Sequence, residues 1–255
     1  GANANKSNSN SNSFSGIGFL KGNLTDMAFA NSYPTNGQPS GSESLSSSVG
    51  VFGNLNIIFL NRYFVDGSYR VSGSSKFGKD RRFAPFWSVG IGWNAHNESF
   101  LSDLGWFDIF IRGSVGYTGS VNFSDYQAIT TYLYKQDNNY LISMGALPIT
   151  MGNDRLKWQT TVKYNVGATL EMWEGRLSAN FDIYKEDTKD LLLSISTPPS
   201  MGVTNVMDNL GETGNWGYEW SLSGLLIKSN QLYWRMGLSG HHTENKLKKI
   251  SNSMK

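Results

Sequence analysis

The side chains best suited to metal binding or proton transfer are His96, His241 and His242, and their spacing supports neither role. His241 and His242 are adjacent, so on an extended strand their rings project to opposite faces and do not close on one ion. No HExxH spacing accompanies them, and the chain contains no cysteine, which excludes a zinc site built on thiolates. Gly113-Ser114-Val115-Gly116 lacks the GxSxG nucleophile elbow and reads as part of a strand instead of a strand-to-helix turn. Gly90, Gly92, Gly113 and Gly116 read as thin strand positions or bulges and not as a phosphate cradle. Asp and Glu number 20 together, and no spacing singles out a catalytic pair. The expectation is a protein that binds without breaking bonds, with no catalytic residue, no metal and no cofactor.

Two polar groups remain as candidates for binding. The stretch from Gly119 to Arg155 holds Tyr126, Tyr132, Tyr134 and Tyr140 among Asp125, Gln127, Gln136, Asp137, Asn138 and Asn139. Aromatic faces against sugar C–H surfaces, with carboxamides and carboxylates meeting hydroxyls, suit carbohydrate contact. The competing reading is that these tyrosines pack the loop against itself or against a covering partner. The second group is a set of charges at alternate positions: Asp66, Arg70, Asp108, Arg112, Lys163, Glu171, Arg176, Asp182, Glu219 and Arg235. Both signs occur, which favours pairing among themselves over binding a substrate.

The elements that position these groups are strands. Val162, Tyr164, Val166, Ala168, Leu170 and Met172 point one way, and Lys163, Asn165, Gly167, Thr169 and Glu171 the other. Period two is the repeat of an extended chain. After a break at Glu174 and Gly175, Leu177, Ala179, Phe181 and Ile183 continue the alternation, as in a returning hairpin. Asn61 and Arg62 join a similar pair, residues 45–59 and 63–72, and Ser229 and Asn230 join residues 216–228 to 231–240. Residues 87–95 and 107–118 form a fourth pair, linked through about ten residues with room for one helical turn.

Between these hairpins the chain runs further, through 73–86, 119–155 and 186–214, with another long polar stretch before Leu45. Short turns therefore fall at one end and long loops at the other. That sorting matches a transmembrane barrel of the outer-membrane type, with short periplasmic turns and long extracellular loops. Trp216, Tyr218 and Trp220 on one face, and Trp87 and Trp93 on another, suit the aromatic belt at a membrane interface. Mean hydropathy is below zero, and no run approaches the roughly 20 apolar residues of a spanning helix. A barrel strand needs apolar side chains on one face only, so this composition is compatible with lipid contact. The net charge of +2 implies no nucleic-acid partner. A secreted carbohydrate-binding β-sandwich, whose strands also alternate, and a self-contained small barrel remain the alternatives.

Five segments in sequence order resemble the C-terminal barrel of SusC/RagA-type TonB-dependent transporters of Bacteroidetes. Arg70-Val71-Ser72-Gly73-Ser74-Ser75-Lys76-Phe77-Gly78 is similar to R-x-D-G-S-S-R-F-G, with Ser72 where Asp is usual. Phe86-Trp87-Ser88-Val89-Gly90-Ile91-Gly92-Trp93 is similar to F-P-S-x-x-x-G-W without its proline. Ile111-Arg112-Gly113-Ser114-Val115-Gly116-Tyr117-Thr118-Gly119 resembles L-R-x-S-Y-G-x-T-G. A fourth match runs from Leu156-Lys157-Trp158-Gln159-Thr160-Thr161 through Asn165, Gly167, Arg176, Leu177, Asp182, Tyr184 and Thr188 to Asp190-Leu191-Leu192. The fifth is Asn209, Gly211, Asn215, Gly217 and Glu219.

The resemblance implies an all-β, antiparallel up-and-down barrel segment, about eight strands of a barrel of about 22. Residues 1–44 would then be low-complexity and extracellular loop, mobile across the Ser/Asn run. Residues 45–240 would be strands, and 241–255 the start of the next loop or a tail. With no signal peptide or plug in view, the chain reads as an internal piece of a longer outer-membrane protein. The function implied is active import of a glycan, oligosaccharide or peptide beneath a SusD-like surface lipoprotein. TonB with ExbB and ExbD would act on the protein's own N-terminal plug, and lipid would surround the wall. Arg112 and Arg176 would be plug contacts, because guanidinium groups hold carboxylates bidentately.

Overall fold

The computed structural model describes residues 1–19, 26–34, 40–101, 105–140 and 143–250, with backbone alone at 135–140 and 143–144. The tail 251–255 lies outside the described residues. Among the described residues eleven strands carry the fold: β1 (Ala2–Ser13), β2 (Ser40–Phe59), β3 (Tyr63–Ser74), β4 (Phe83–Asn94), β5 (Phe107–Ser120), β6 (Thr131–Tyr140), β7 (Ser143–Thr150), β8 (Gln159–Met172), β9 (Leu177–Ser196), β10 (Asn205–Lys228) and β11 (Tyr233–Ile250). Nine form one antiparallel sheet in the order β1-β2-β3-β4-β5-β8-β9-β10-β11, and β6-β7 is a separate hairpin inserted between β5 and β8. All eight strands expected from alternation are present, joined in sequence order as an up-and-down wall. Its edges, β1 and β11, do not pair with each other, so the barrel is not closed.

The register sorts the sheet into two faces, because residues directly opposite in an antiparallel pair share a face. Following the pairs outward from β8, Ile109–Leu170, Ile111–Ala168, Val166–Ile183 and Ala168–Phe181 lie on one side. The same side continues through Val65–Ile91, Ile57–Val65 and Leu222–Leu238. Its side chains are large, apolar and open: Leu55 is 61% exposed, Ile91 62% and Val166 56%. In water such a surface would drive aggregation; a hydrocarbon surrounding removes that cost.

The short turns have the backbone that the sheet's twist requires. In Phe59–Arg62 the Arg62 N–H donates to the Phe59 carbonyl at 3.0 Å, with Leu60 and Asn61 at φ 53° and 54°. Trp173–Arg176 repeats this at 3.2 Å, with Glu174 at 58° and Gly175 at 77°. Positive φ at both central residues is the type I′ hairpin turn, whose twist matches the flanking strands.

Five corrections to the expected boundaries follow. Residues 2–13 are not a mobile loop: β1 pairs along its whole length with β2. Ser and Asn are poor strand formers, but β2 satisfies the backbone groups on the side of β1 that faces it. Most of the expected loop 186–214 is strand, since β9 runs to Ser196 and β10 begins at Asn205. The loop 73–86 shrinks to 75–82, and 119–155 contains the β6-β7 hairpin. Residues 241–250, expected as loop or tail, are the end of β11. Arg176 closes the turn before β9, and its carbonyl accepts the Leu225 N–H of β10 at 2.7 Å.

Among the described residues the dry core lies mainly at the long-loop end. Leu156 and Phe77 are 0% and 1% exposed, with Phe86, Val203 and Leu210 also buried. Phe77 packs on Phe123 and Trp158 with ring centroids at 5.3 and 4.8 Å. Phe86 meets Trp158 edge-on at 5.3 Å, and the Trp158 indole N–H donates to the Arg82 carbonyl at 3.1 Å.

Candidate functional site

The polar face carries a hydrogen-bonded chain across four strands. Arg112 on β5 donates to Thr169 Oγ1 on β8 at 2.9 Å and to Asp182 Oδ2 on β9 at 2.5 Å. Thr169 donates to Asn180 Oδ1 at 2.8 Å, and Asn180 Nδ2 to Ser221 Oγ on β10 at 3.3 Å. Gly167 lies between Arg112 and Asp182 in the register. A Cβ there would overlap the Asp182 carboxylate and the Arg112 guanidinium, so the glycine makes the crossing possible.

The remaining charged candidates divide by register. Arg70 shares the polar face and donates to Ser72 Oγ at 2.7 Å and to Asn3 Oδ1 at 3.2 Å. Lys163 pairs with Glu186 at 2.7 Å. Glu219 stands opposite Asp182 and His241, so two carboxylates and an imidazole face one another beside the Arg112 chain. Asp66 fills the space above Gly90, where a Cβ would collide with it. Asp108 stands opposite Glu171 and has His96 Nε2 3.6 Å away.

The loop candidates split into anchors and projections. Asp125 accepts from Ser44 Oγ and pairs with Lys76 at 3.0 Å. The Ser44 hydroxyl, and after it the Lys76 ammonium, hold its carboxyl below the usual range against the opposing cost of burial. Tyr126, at φ 66°, accepts the Leu45 N–H on its hydroxyl at 2.7 Å. The Gln127 carbonyl accepts the Asn153 N–H at 3.0 Å. Asp125 and Tyr126 tie the loop to β2 and to the β3-β4 connection, and Gln127 closes the loop on itself at Asn153. Tyr132 and Tyr134, two residues apart on β6, are instead 58% and 69% exposed. Tyr140 belongs to the β6 backbone; its side chain lies outside the described residues.

Several organising residues were not singled out from sequence. Buried Asn153 donates to the Met207 carbonyl and to Asp208 Oδ1 at 3.0 and 3.1 Å, and accepts the Arg155 N–H at 3.1 Å. Asn209 accepts the Lys157 N–H at 3.0 Å and donates to the carbonyls of Lys157 and Asp190 at 3.0 and 2.8 Å. Asn209 had a signal, the first position of the fifth segment; Asn153 had none. At the short-turn end Glu98 collects Tyr63 Oη at 2.6 Å, Trp93 Nε1 at 3.2 Å and Arg62 at 3.3 Å. The Tyr63 hydroxyl first, then the Trp93 indole, keep the Glu98 carboxyl below its ordinary value of 4.5.

An antiparallel up-and-down sheet with an open apolar face, a cross-linked polar face, tight turns at one end and a packed rim at the other defines the wall of a transmembrane β-barrel. The family model described as TonB dependent receptor-like, beta-barrel, matches residues 2–249, and the chain belongs to that family. TonB-dependent receptor P39 of Formosa agariphila is 28% identical over 219 residues, covering 86% of this chain and 21% of that receptor. TonB-dependent receptor SusC of Bacteroides thetaiotaomicron is 31% identical over 211 residues, covering 80% and 21%. The RagAB peptide importer in its closed-closed state superposes with a TM-score of 0.86 at 24% identity, over 98% of this chain and 28% of that chain. At that identity the superposition establishes the fold alone. The chain spans about a fifth of the length of the curated relatives it matches.

Proposed function

We propose that the chain is the wall and rim of an outer-membrane importer of the SusC/RagA type in a Bacteroidetes-like bacterium, moving a bulky nutrient without breaking a bond in it. The observation that carries this reading is the two-faced sheet within a family of TonB-dependent receptors. The apolar face meets lipid, and Arg70, Arg112, Lys163, Asp182 and Glu219 face the lumen. The plug would come from the protein's own N-terminal part and meet the Arg112 chain. TonB with ExbB and ExbD would supply energy, and a SusD-like lipoprotein would cover the loop end. The tyrosines and polar side chains of the 119–155 loop favour a glycan or oligosaccharide as cargo, and the likeness to a peptide importer keeps a peptide as the second reading.

Within the loop, Tyr132 and Tyr134 are the residues free to meet cargo or lid, and Asp125, Tyr126 and Gln127 hold the platform beneath them. The test uses the full-length receptor in cells with labelled oligosaccharides and oligopeptides. Tyr132→Ala combined with Tyr134→Ala should lower uptake or affinity about tenfold, the scale of losing one aromatic contact. Uptake of neither cargo class by the unaltered receptor would defeat the reading.

A further inference from the structure

On the apolar face, Tyr164 and Val166 of β8, Ile183 and Lys185 of β9, and Trp216 of β10 line a groove of about 330 Å³. The register makes it continuous: Val166 stands opposite Ile183, Tyr164 opposite Lys185, and Lys185 opposite Trp216. Its size is at the low end for a small-molecule site, which suits a narrow flexible chain better than a ring system. One end is purely apolar. At the other the apolar stem of Lys185 joins the lining; its side chain is 61% exposed, and the ammonium's nearest carboxylate, Asp187, is 3.7 Å away, beyond hydrogen-bond length.

Asp187 is already engaged by Lys248, so two ammonium groups share one carboxylate and the patch keeps a positive surplus. Lys246 and Glu244 neutralise each other at 2.8 Å, and Glu244 also takes the Trp216 indole N–H at 2.6 Å, which fixes that wall of the groove. Counting from Leu177 beside the short turn, Lys185 lies about 27 Å along its strand. With barrel strands tilted by about 35–45°, that is a height of about 19–22 Å, in the upper part of an apolar band about 25 Å tall. A cation on an apolar stem at that level places its charge among headgroups.

We infer that this groove is a site for a phosphorylated acyl lipid of the leaflet on the long-loop side, with one acyl chain along Tyr164, Val166, Ile183 and Trp216 and the phosphate on Lys185. The inference rests on the membrane-wall reading above. It goes beyond general lipid contact, because it assigns one headgroup chemistry to one position.

The test takes the full-length receptor reconstituted in nanodiscs containing dioleoyl phosphatidic acid and dioleoylglycerol, which have the same chains with and without the phosphate, and reads retained lipid by native mass spectrometry. The unaltered receptor should retain the phosphatidic acid in preference. Lys185→Glu should reduce that adduct at least fivefold, with Lys228→Glu, at the short-turn end of β10, leaving it unchanged. Ile183→Asn should reduce retention of both lipids. Equal retention of the two lipids, or an adduct indifferent to Lys185→Glu, overturns the site in a receptor that is still inserted. A receptor that does not enter the bilayer overturns the wall reading itself. A dimer abolished by Lys185→Glu would put a second copy in the groove and overturn the lipid assignment.

Discussion

Arg112 reaches over Gly167 to Asp182, 70 residues away in sequence, with a nitrogen–oxygen distance of 2.5 Å. Three neighbouring strands are joined by that contact, and the strand between them contributes a residue with no side chain. Gly167→Leu should therefore break the pair and lower the temperature at which the full-length barrel unfolds on semi-native gels. Arg112→Ala should cost less, about 1 kcal/mol, because both groups are partly solvated. Equal melting of both variants and the parent would show that the pair is ornamental.

The two faces of β8 should respond oppositely to charge. Val166→Arg should cost about 2 to 4 kcal/mol if it sits near the bilayer midplane, and less toward the interface. Asn165→Arg, one residue away on the polar face, should be tolerated. Folding titrations in lipid vesicles compare them directly, and equal tolerance would remove the membrane reading.

Glu98 makes the β4-β5 connection sensitive to acid. Its folded carboxyl is held below the ordinary 4.5, so the unfolded chain takes up the proton first as pH falls. The stabilisation is fully present above about 4.5 and is lost as pH drops through the lower folded value. Hydrogen-exchange protection across residues 93–101, taken relative to the intrinsic rate at each pH, should be flat from neutrality to about pH 5 and fall below about 4.5. Glu98→Gln should show the weaker protection already at neutral pH.

Asn209 is the latch of the rim, with its amide satisfied by backbone groups on two other segments. Asn209→Ala should leave the Lys157 N–H and the Asp190 carbonyl without that partner, at about 1 to 3 kcal/mol, and raise exchange at 156–158. Leu156→Ala empties a fully buried site and should cost about 2 to 5 kcal/mol. A rim that stays protected in both variants would mean the loops are held from elsewhere.

The wall was legible in sequence wherever one face is apolar, because alternation such as Val162 to Met172 records the two environments directly. It was not legible where that alternation is interrupted or both faces are wet. In upper β9 and β10 the charged run from Glu186 to Asp190 interrupts the alternation before Leu191, Leu193 and Ile195 resume it, and the ladder passes through register shifts at Asn209–Thr213, so Glu186–Ser196 and Asn205–Gly214 read as loop. In β1, Ser and Asn carry no strand preference, and only the β2 edge decides. The positions of Arg112 and Asp182 could be guessed, but their pairing could not, since it depends on a register set through β8. Among the tyrosines, sequence does not separate the anchored Tyr126 from the open Tyr132, as both stand in the same polar context.

The cluster around Phe77 and Leu156 lies outside the part of the sheet that faces lipid. The rim thus keeps its own shape by the ordinary means of a water-soluble protein, whereas the barrel staves below it depend on what surrounds them. Swapping a thick bilayer for a thin one, or for detergent, would strain the staves and leave the rim's contours as they were.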